Sequence, residues 1–222
     1  MTATENQDLL LYLQICADSY GESKPQNCDN TFNSDWQRLN LVINGVVSGQ
    51  DYYGFDLLNG FDAAIYYNEE TNKVIVGIRG TEALANDGDV SESANILNQI
   101  TELTQFGELI NFHQVIQDTL KSINYDGSYK IVGQSLGGAL ASVYIQQSYT
   151  DNTYVCTEAI AINTIGVSYA FDQSQSDKVT NYLVMNDIFA MLNYDQQIGS
   201  VKLVCRLGFN PTETIKELEN VA

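Results

Sequence analysis

The chain has 222 residues, 44% of them hydrophobic and 10% aromatic, enough apolar material for one large core and too much for a disordered segment. Its 28 acidic residues against 10 basic ones give a formal net charge of −18. Such a surface repels phosphate backbones and anionic headgroups, so no nucleic-acid partner is expected.

The opening stretch, MTATENQDLLLYLQICADSY, has no positive n-region. The first basic residue is Lys24, and the apolar run is only Leu9 to Leu13. The stretch reads as an amphipathic helix, not as a secretion signal or a transmembrane segment. The chain is therefore expected to be cytoplasmic, to leave by a route without an N-terminal mark, or to be a domain cut from something longer. Residues 19–40 are polar and turn-rich and read as a long loop, and LVINGVVSG (41–49) is β-rich. AAIYYN (63–68) and KVIVGIRG (73–80) flank EETN, a hairpin signature. Residues 98–123 carry Leu103, Phe106, Leu109, Ile110, Ile116 and Leu120 at helical spacing.

An alternation follows. Strand 129–133 precedes helix 136–147, and strand 158–164 precedes a helix or loop near 171–178. Strand 180–186 precedes a short helical piece near 188–192, and strand 201–207 precedes a terminal helix near 212–221. Strands alternating with helices predict an α/β domain: a mostly parallel central sheet, helices on both faces, and an antiparallel edge hairpin at 63–80. One domain over 1–222 is the simplest division. Cys16, Cys28, Cys156 and Cys205 show no CxxC spacing, so zinc is not expected. Cys156 and Cys205 read as buried thiols, and Cys16 and Cys28 as a pair able to join in an oxidising compartment.

The chemistry concentrates in YKIVGQSLGGALAS, residues 129–142. An apolar strand runs into Gly133, then Gln134-Ser135-Leu136, then Gly137 and a Gly/Ala-rich helix. A nucleophile held on a sharp strand-to-helix bend needs small residues two places before and after it. Ser135 is the candidate nucleophile. The Leu136 amide, next in the chain and at a helix N-terminus, is a candidate oxyanion donor. A phosphate-binding loop would need a GxxxxGK[ST] lysine, and none follows.

GQSLGGALA beside VIVGIRGTE resembles the class 3 lipases and their bacterial lipase-like relatives, whose signatures are an [FI]RGT strand end and a GHSLGG elbow. The likeness covers roughly residues 60 to 207 in motif order. It implies an α/β-hydrolase fold, hydrolysis of lipid or other acyl esters, and neither metal nor organic cofactor. It also implies that Thr81 gives the second oxyanion-hole donor, and that EALANDGDVSESANILNQ occupies the place of a substrate-covering region. The alternative for Thr81 is an ordinary turn or cap, and NDGD reads better as a solvated helix cap.

The acid of such a triad comes after the nucleophile, at a strand end. NYLVMND delivers Asp187 there, to fix the tautomer and orientation of an imidazole, or else to cap residues 188–192. Asp195 is the runner-up. The base is missing from its expected place. The one histidine, His113, precedes Ser135, and GFNPTETIKELENVA (208–222) contains none. His113 shares a helix face with Leu109, Ile110 and Ile116, which suits a core residue better than a base. Three explanations stand: a histidine beyond Ala222 or on a protein partner; a substitute such as Glu213 or Glu217; or a catalytically impaired binding or scaffold domain. A carboxylate is the weakest, since its pKa lies far below the working range.

Overall fold

A computed structural model describes residues 3–19, 35–54, 61–80, 104–147, 152–164, 166, 174–184 and 194–204. Helix α1 spans Ala3–Asp18. Short strands β1 (Gln37–Arg38), β2 (Val42–Ile43), β3 (Val46–Val47) and β4 (Tyr53–Gly54) follow, then β5 (Asp62–Asn68) and β6 (Lys73–Ile78). Helix α2 is Thr104–Ser122, β7 is Tyr129–Gln134 and α3 is Leu136–Tyr144. The described chain closes with β8 (Cys156–Ile162), β9 (Val179–Val184) and β10 (Ser200–Val204). The helices expected near 188–192 and 212–221 lie outside the described residues, as do 171–173, and 174–178 carries a 3-10 turn at Ser176–Lys178.

Turn chemistry sets the antiparallel edge. Asn68 Oδ1 accepts the Thr71 amide at 2.8 Å and Asn72 takes φ 50°, which closes the β5–β6 hairpin. The β-rich run at 41–49 forms its own ribbon, β2–β3, turned by Asn44 (φ 52°) and Gly45 (φ 74°). The main sheet runs β1-β5-β6-β7-β8-β9-β10, with β4 also on β5. Pairing is antiparallel from β1 to β6 and parallel from β6 to β10.

The pleat divides the core in two. Val74, Val76, Ile78 and Ile131 face α2 and α3, meeting Leu109, Phe112, Ile116 and Leu140. Ile75, Val132 and Ile160 face the other way, onto Leu9, Leu13 and Ile15 of α1. The sheet is thus covered on both sides, which is why its parallel strands are near-continuous apolar runs.

Two expectations change. Ile110 does not join the α2 core face but is 46% exposed. At 100° per residue it lies outside the stripe that Leu109, Phe112, His113, Ile116 and Leu120 define. Cys16 is a free thiol in the α1 core, pushed far up by burial, while Cys28 and Cys205 lie outside the described residues. Cys156 is also free and only partly buried as a residue, though desolvation pushes its thiol up to about 12.

A polar cluster sits in the α2–α3 core. His113 Nδ1 is 2.7 Å from the Tyr144 hydroxyl, which is 2.5 Å from the Tyr129 hydroxyl. Burial holds the Tyr129 phenol far above its ordinary range, so it stays protonated. Tyr144→Phe removes a buried hydroxyl from this chain and is expected to cost about 1–3 kcal/mol, read as a lower urea midpoint with an unchanged slope.

Candidate active site

β7 ends at Gln134 and α3 begins at Leu136, so a single residue makes the bend. Ser135 does it at φ 55°, ψ −124°, a conformation that costs a non-glycine residue about 1–3 kcal/mol. Three main-chain bonds hold it there. Its amide donates to Ile162 O on β8 at 2.9 Å, and its carbonyl accepts from the amides of Gly138 (3.1 Å) and Ala139 (3.2 Å). The Ser135 hydroxyl makes no capping bond to α3, and the residue is partly exposed. The strained residue thus carries a hydroxyl that is not spent on capping α3.

The two flanking glycines meet across that bend. A Cβ on Gly133 would overlap the Gly137 carbonyl and the Gly138 amide. A Cβ on Gly137 would lie 2.5 Å from Ile78 O and 2.7 Å from Arg79 O, and one on Gly138 2.9 Å from Thr164 Cβ. All three glycines are therefore sites where main chain rests on main chain or on a buried neighbour.

This close packing brings in the end of β6. Ile78 pairs with Gly133, and the Arg79 carbonyl lies against Gly137. Arg79 is anchored from the other side by Asp62, whose carbonyl accepts the Arg79 amide at 2.9 Å and whose carboxylate pairs with the guanidinium. Thr81 is two residues beyond Arg79 and lies outside the described residues. The Leu136 amide is the first of α3, where the helix's partial positive charge gathers.

The other candidates are scattered. β9 stands two strands from β7, about 10 Å across the sheet. Asp187 follows its last residue, Val184, by three places and is outside the described residues, as are Glu213 and Glu217. Asp195 is exposed on a 3-10 turn, Tyr194–Gln196. His113 is 5% exposed and bonded to Tyr144, whose hydroxyl reaches Tyr129 at the start of β7. Ser135 follows the opposite end of that strand, about 20 Å away at 3.3 Å per residue. His113 is a core residue at the wrong end of the sheet. Gln134 Oε1, next to the bend, is buried with no hydrogen-bond partner among the described residues.

Sequence reasoning passed over Asp62 and Asn163, both of which brace the site from strand ends. Asn163 had a signal: an asparagine closing an apolar strand is a common residue for positive φ, and it takes φ 46°. Among the described residues no three His, Cys, Asp or Glu side chains gather as a metal site, and no helix is long and apolar enough to cross a membrane.

No family model and no curated protein matches the sequence. Solved structures do match. A triacylglycerol lipase whose catalytic centre is formed by a serine protease triad superposes with a TM-score of 0.63 at 14% identity, over 92% of this chain and 82% of that one. The fold is that of an α/β-hydrolase. Lipase II from Rhizopus niveus gives a TM-score of 0.57 at 13% identity, covering 92% of this chain and 82% of the lipase. The Rhizomucor miehei lipase of the native propeptide complex gives 0.56 at 15% identity, covering 87% of this chain. The chain spans 65% of that lipase's length. At these identities the likeness to fungal class 3 lipases is one of structure.

Gly133→Ala is expected to destabilise by about 3 kcal/mol or more in urea unfolding, because a Cβ there meets backbone that cannot yield. Ser135→Gly is expected to be more stable than Ser135→Ala by about 1–2 kcal/mol, since only glycine releases the strain at φ 55°. Equal stability of the two variants would show the bend to be relaxed.

Proposed function

We propose that this chain is the core of a serine ester hydrolase acting on lipid or other carboxylic acyl esters. The observation that carries the reading is the Ser135 geometry: a strained residue between strand and helix, with its hydroxyl uncapped. In the proposed reaction Ser135 Oγ attacks the ester carbonyl carbon while its proton passes to a base. The carbonyl oxygen becomes an oxyanion beside the amides of Leu136 and Thr81. The intermediate collapses with cleavage of the ester C–O bond, and the alcohol leaves with the proton. Water then hydrolyses the acyl-serine by the same steps. Asp187 orients the base.

That base is not His113, whose imidazole is committed to Tyr144 in the core. A histidine base for Ser135 therefore comes from outside these 222 residues, on further polypeptide or on a protein partner. Without it, turnover falls by on the order of 10⁶, leaving roughly 10³–10⁴ over water from oxyanion binding. The same placement of His113 favours a second reading, a lipase-like domain that binds acyl chains or a protein without turnover.

Labelling by a fluorophosphonate separates the two. Under the hydrolase reading, Ser135 is labelled slowly by the chain alone and faster as imidazole is added, and Ser135→Ala abolishes labelling. His113→Gln leaves the labelling rate unchanged. No Ser135 adduct at any imidazole concentration, in a chain that is folded, favours the binding domain.

A further inference from the structure

The end of β6 carries a charge pair that the proposed chemistry has not used. Arg79 follows the last residue of that strand, and Asp62 opens β5 beside it. The Asp62 carbonyl accepts the Arg79 amide at 2.9 Å, and the Asp62 carboxylate pairs with the Arg79 guanidinium. One aspartate thus holds one arginine twice, by main chain and by side chain. A third strand is fitted to it. Gly54 of β4 pairs with Asp62, and a Cβ on Gly54 would overlap the Asp62 carboxylate. The glycine leaves the room that the carboxylate fills.

Burial separates this pair from an ordinary surface one. The Arg79 and Asp62 side chains are 16% and 22% exposed, against 27% and 41% for Arg38 and Asp51. An exposed pair is screened and holds its members loosely. A shielded guanidinium that lost its carboxylate would be poorly solvated and drawn toward water. That movement would carry the arginine's own carbonyl. The carbonyls of Arg79 and Ile78 form the seat on which Gly137 rests. Gly137 is the second residue of α3, and the Leu136 amide before it is the oxyanion donor of the proposed reaction. The path from Asp62 to the nucleophile is therefore short: Arg79, Gly137, Leu136, Ser135.

We propose that Asp62 is a positioning residue, its carboxylate locking Arg79 so that the end of β6 seats the first turn of α3 and holds the Leu136 amide in place beside Ser135. The inference rests on the hydrolase reading and deepens it, adding a charge lock on neighbouring strands to the glycine packing at the bend. Asparagine at position 62 would keep the shape and the main-chain bond and lose the charge. Removing both charges together would leave neither side chain buried without its counter-charge.

The test uses the full chain, a fluorophosphonate as the Ser135 probe and imidazole as the supplied base. Asp62→Asn is expected to lower the limiting labelling rate about tenfold and to leave the probe concentration at half that rate unchanged, because the oxyanion donor shifts while access to the serine does not. Asp51→Asn, which breaks the more exposed pairing with Arg38, is expected to change neither. Arg79→Gln is expected to slow labelling as Asp62→Asn does. The doubly substituted chain is expected to lose no more than either single variant, since the two side chains act as one lock; independent structural losses would multiply. Amide exchange at Gly138 and Ala139, which donate to the Ser135 carbonyl, reads the first turn of α3 directly. It is expected to rise in Asp62→Asn while exchange at Ile160 in β8 stays slow, a readout that stands even if the variant labels too slowly to measure. Unchanged labelling in Asp62→Asn, multiplied losses in the double variant, or exchange that rises equally at Ile160 overturns the positioning role and leaves the hydrolase reading intact. Absence of a Ser135 adduct in the unsubstituted chain, with imidazole present, overturns both.

Discussion

The structure depends on how closely main chain approaches main chain at one bend. Gly133 and Gly137 stand face to face with no room for a methyl group, and Gly137 also rests on the carbonyls that end β6. That contact allows α3 to start one residue after β7 stops. It forces Ser135 into positive φ, and it brings the ends of β6, β7 and β8 together around one hydroxyl. Loosen the contact and the helix would have to retreat from the sheet, taking the Leu136 amide with it. The site is therefore a consequence of packing, and its precision is that of a close-packed core.

Strain also bears on the choice between an enzyme and a binding domain. The proposed hydrolase reading gives a use to the strain of Ser135 at φ 55°, ψ −124°. The cost is justified if the side chain acts, since strained backbone concentrates where geometry must be exact for chemistry. Against this stands the commitment of the chain's one imidazole to Tyr144, at the far end of β7. The two facts are compatible when nucleophile and base are contributed by different stretches of protein, with the part described here supplying the hydroxyl and its electrostatic surroundings.

Much of this was legible in the residues. The β5–β6 hairpin, the parallel order after it and the elbow at 133–137 all announce themselves through period-two runs, turn asparagines and paired glycines, because each is decided locally. His113 was also readable as a core residue from its place on the α2 stripe, though Ile110 was wrongly included on that face. What could not be read was which distant groups meet. Nothing local says that Asp62 braces Arg79, that Tyr144 claims His113, or that the Asn163 side chain accepts the Val184 amide. Those pairings are set by strand order and by which side of the sheet a helix lands on. Thr81 and Asp187 lie outside the described residues, and the roles that motif order suggests for them belong to the proposal.

The two sides of the sheet are unequally furnished. Beneath the site, α2 and α3 share one face, while among the described residues a single helix shields the other. Gly77 exists to admit that helix: a Cβ there would strike Ile15, whose neighbours press on Tyr66 and Ile75. Helix α1, Ala3–Asp18, is consequently part of the core. Without that helix, Val132, Ile160 and Tyr182 would face water as one apolar plane, whatever the state of the serine.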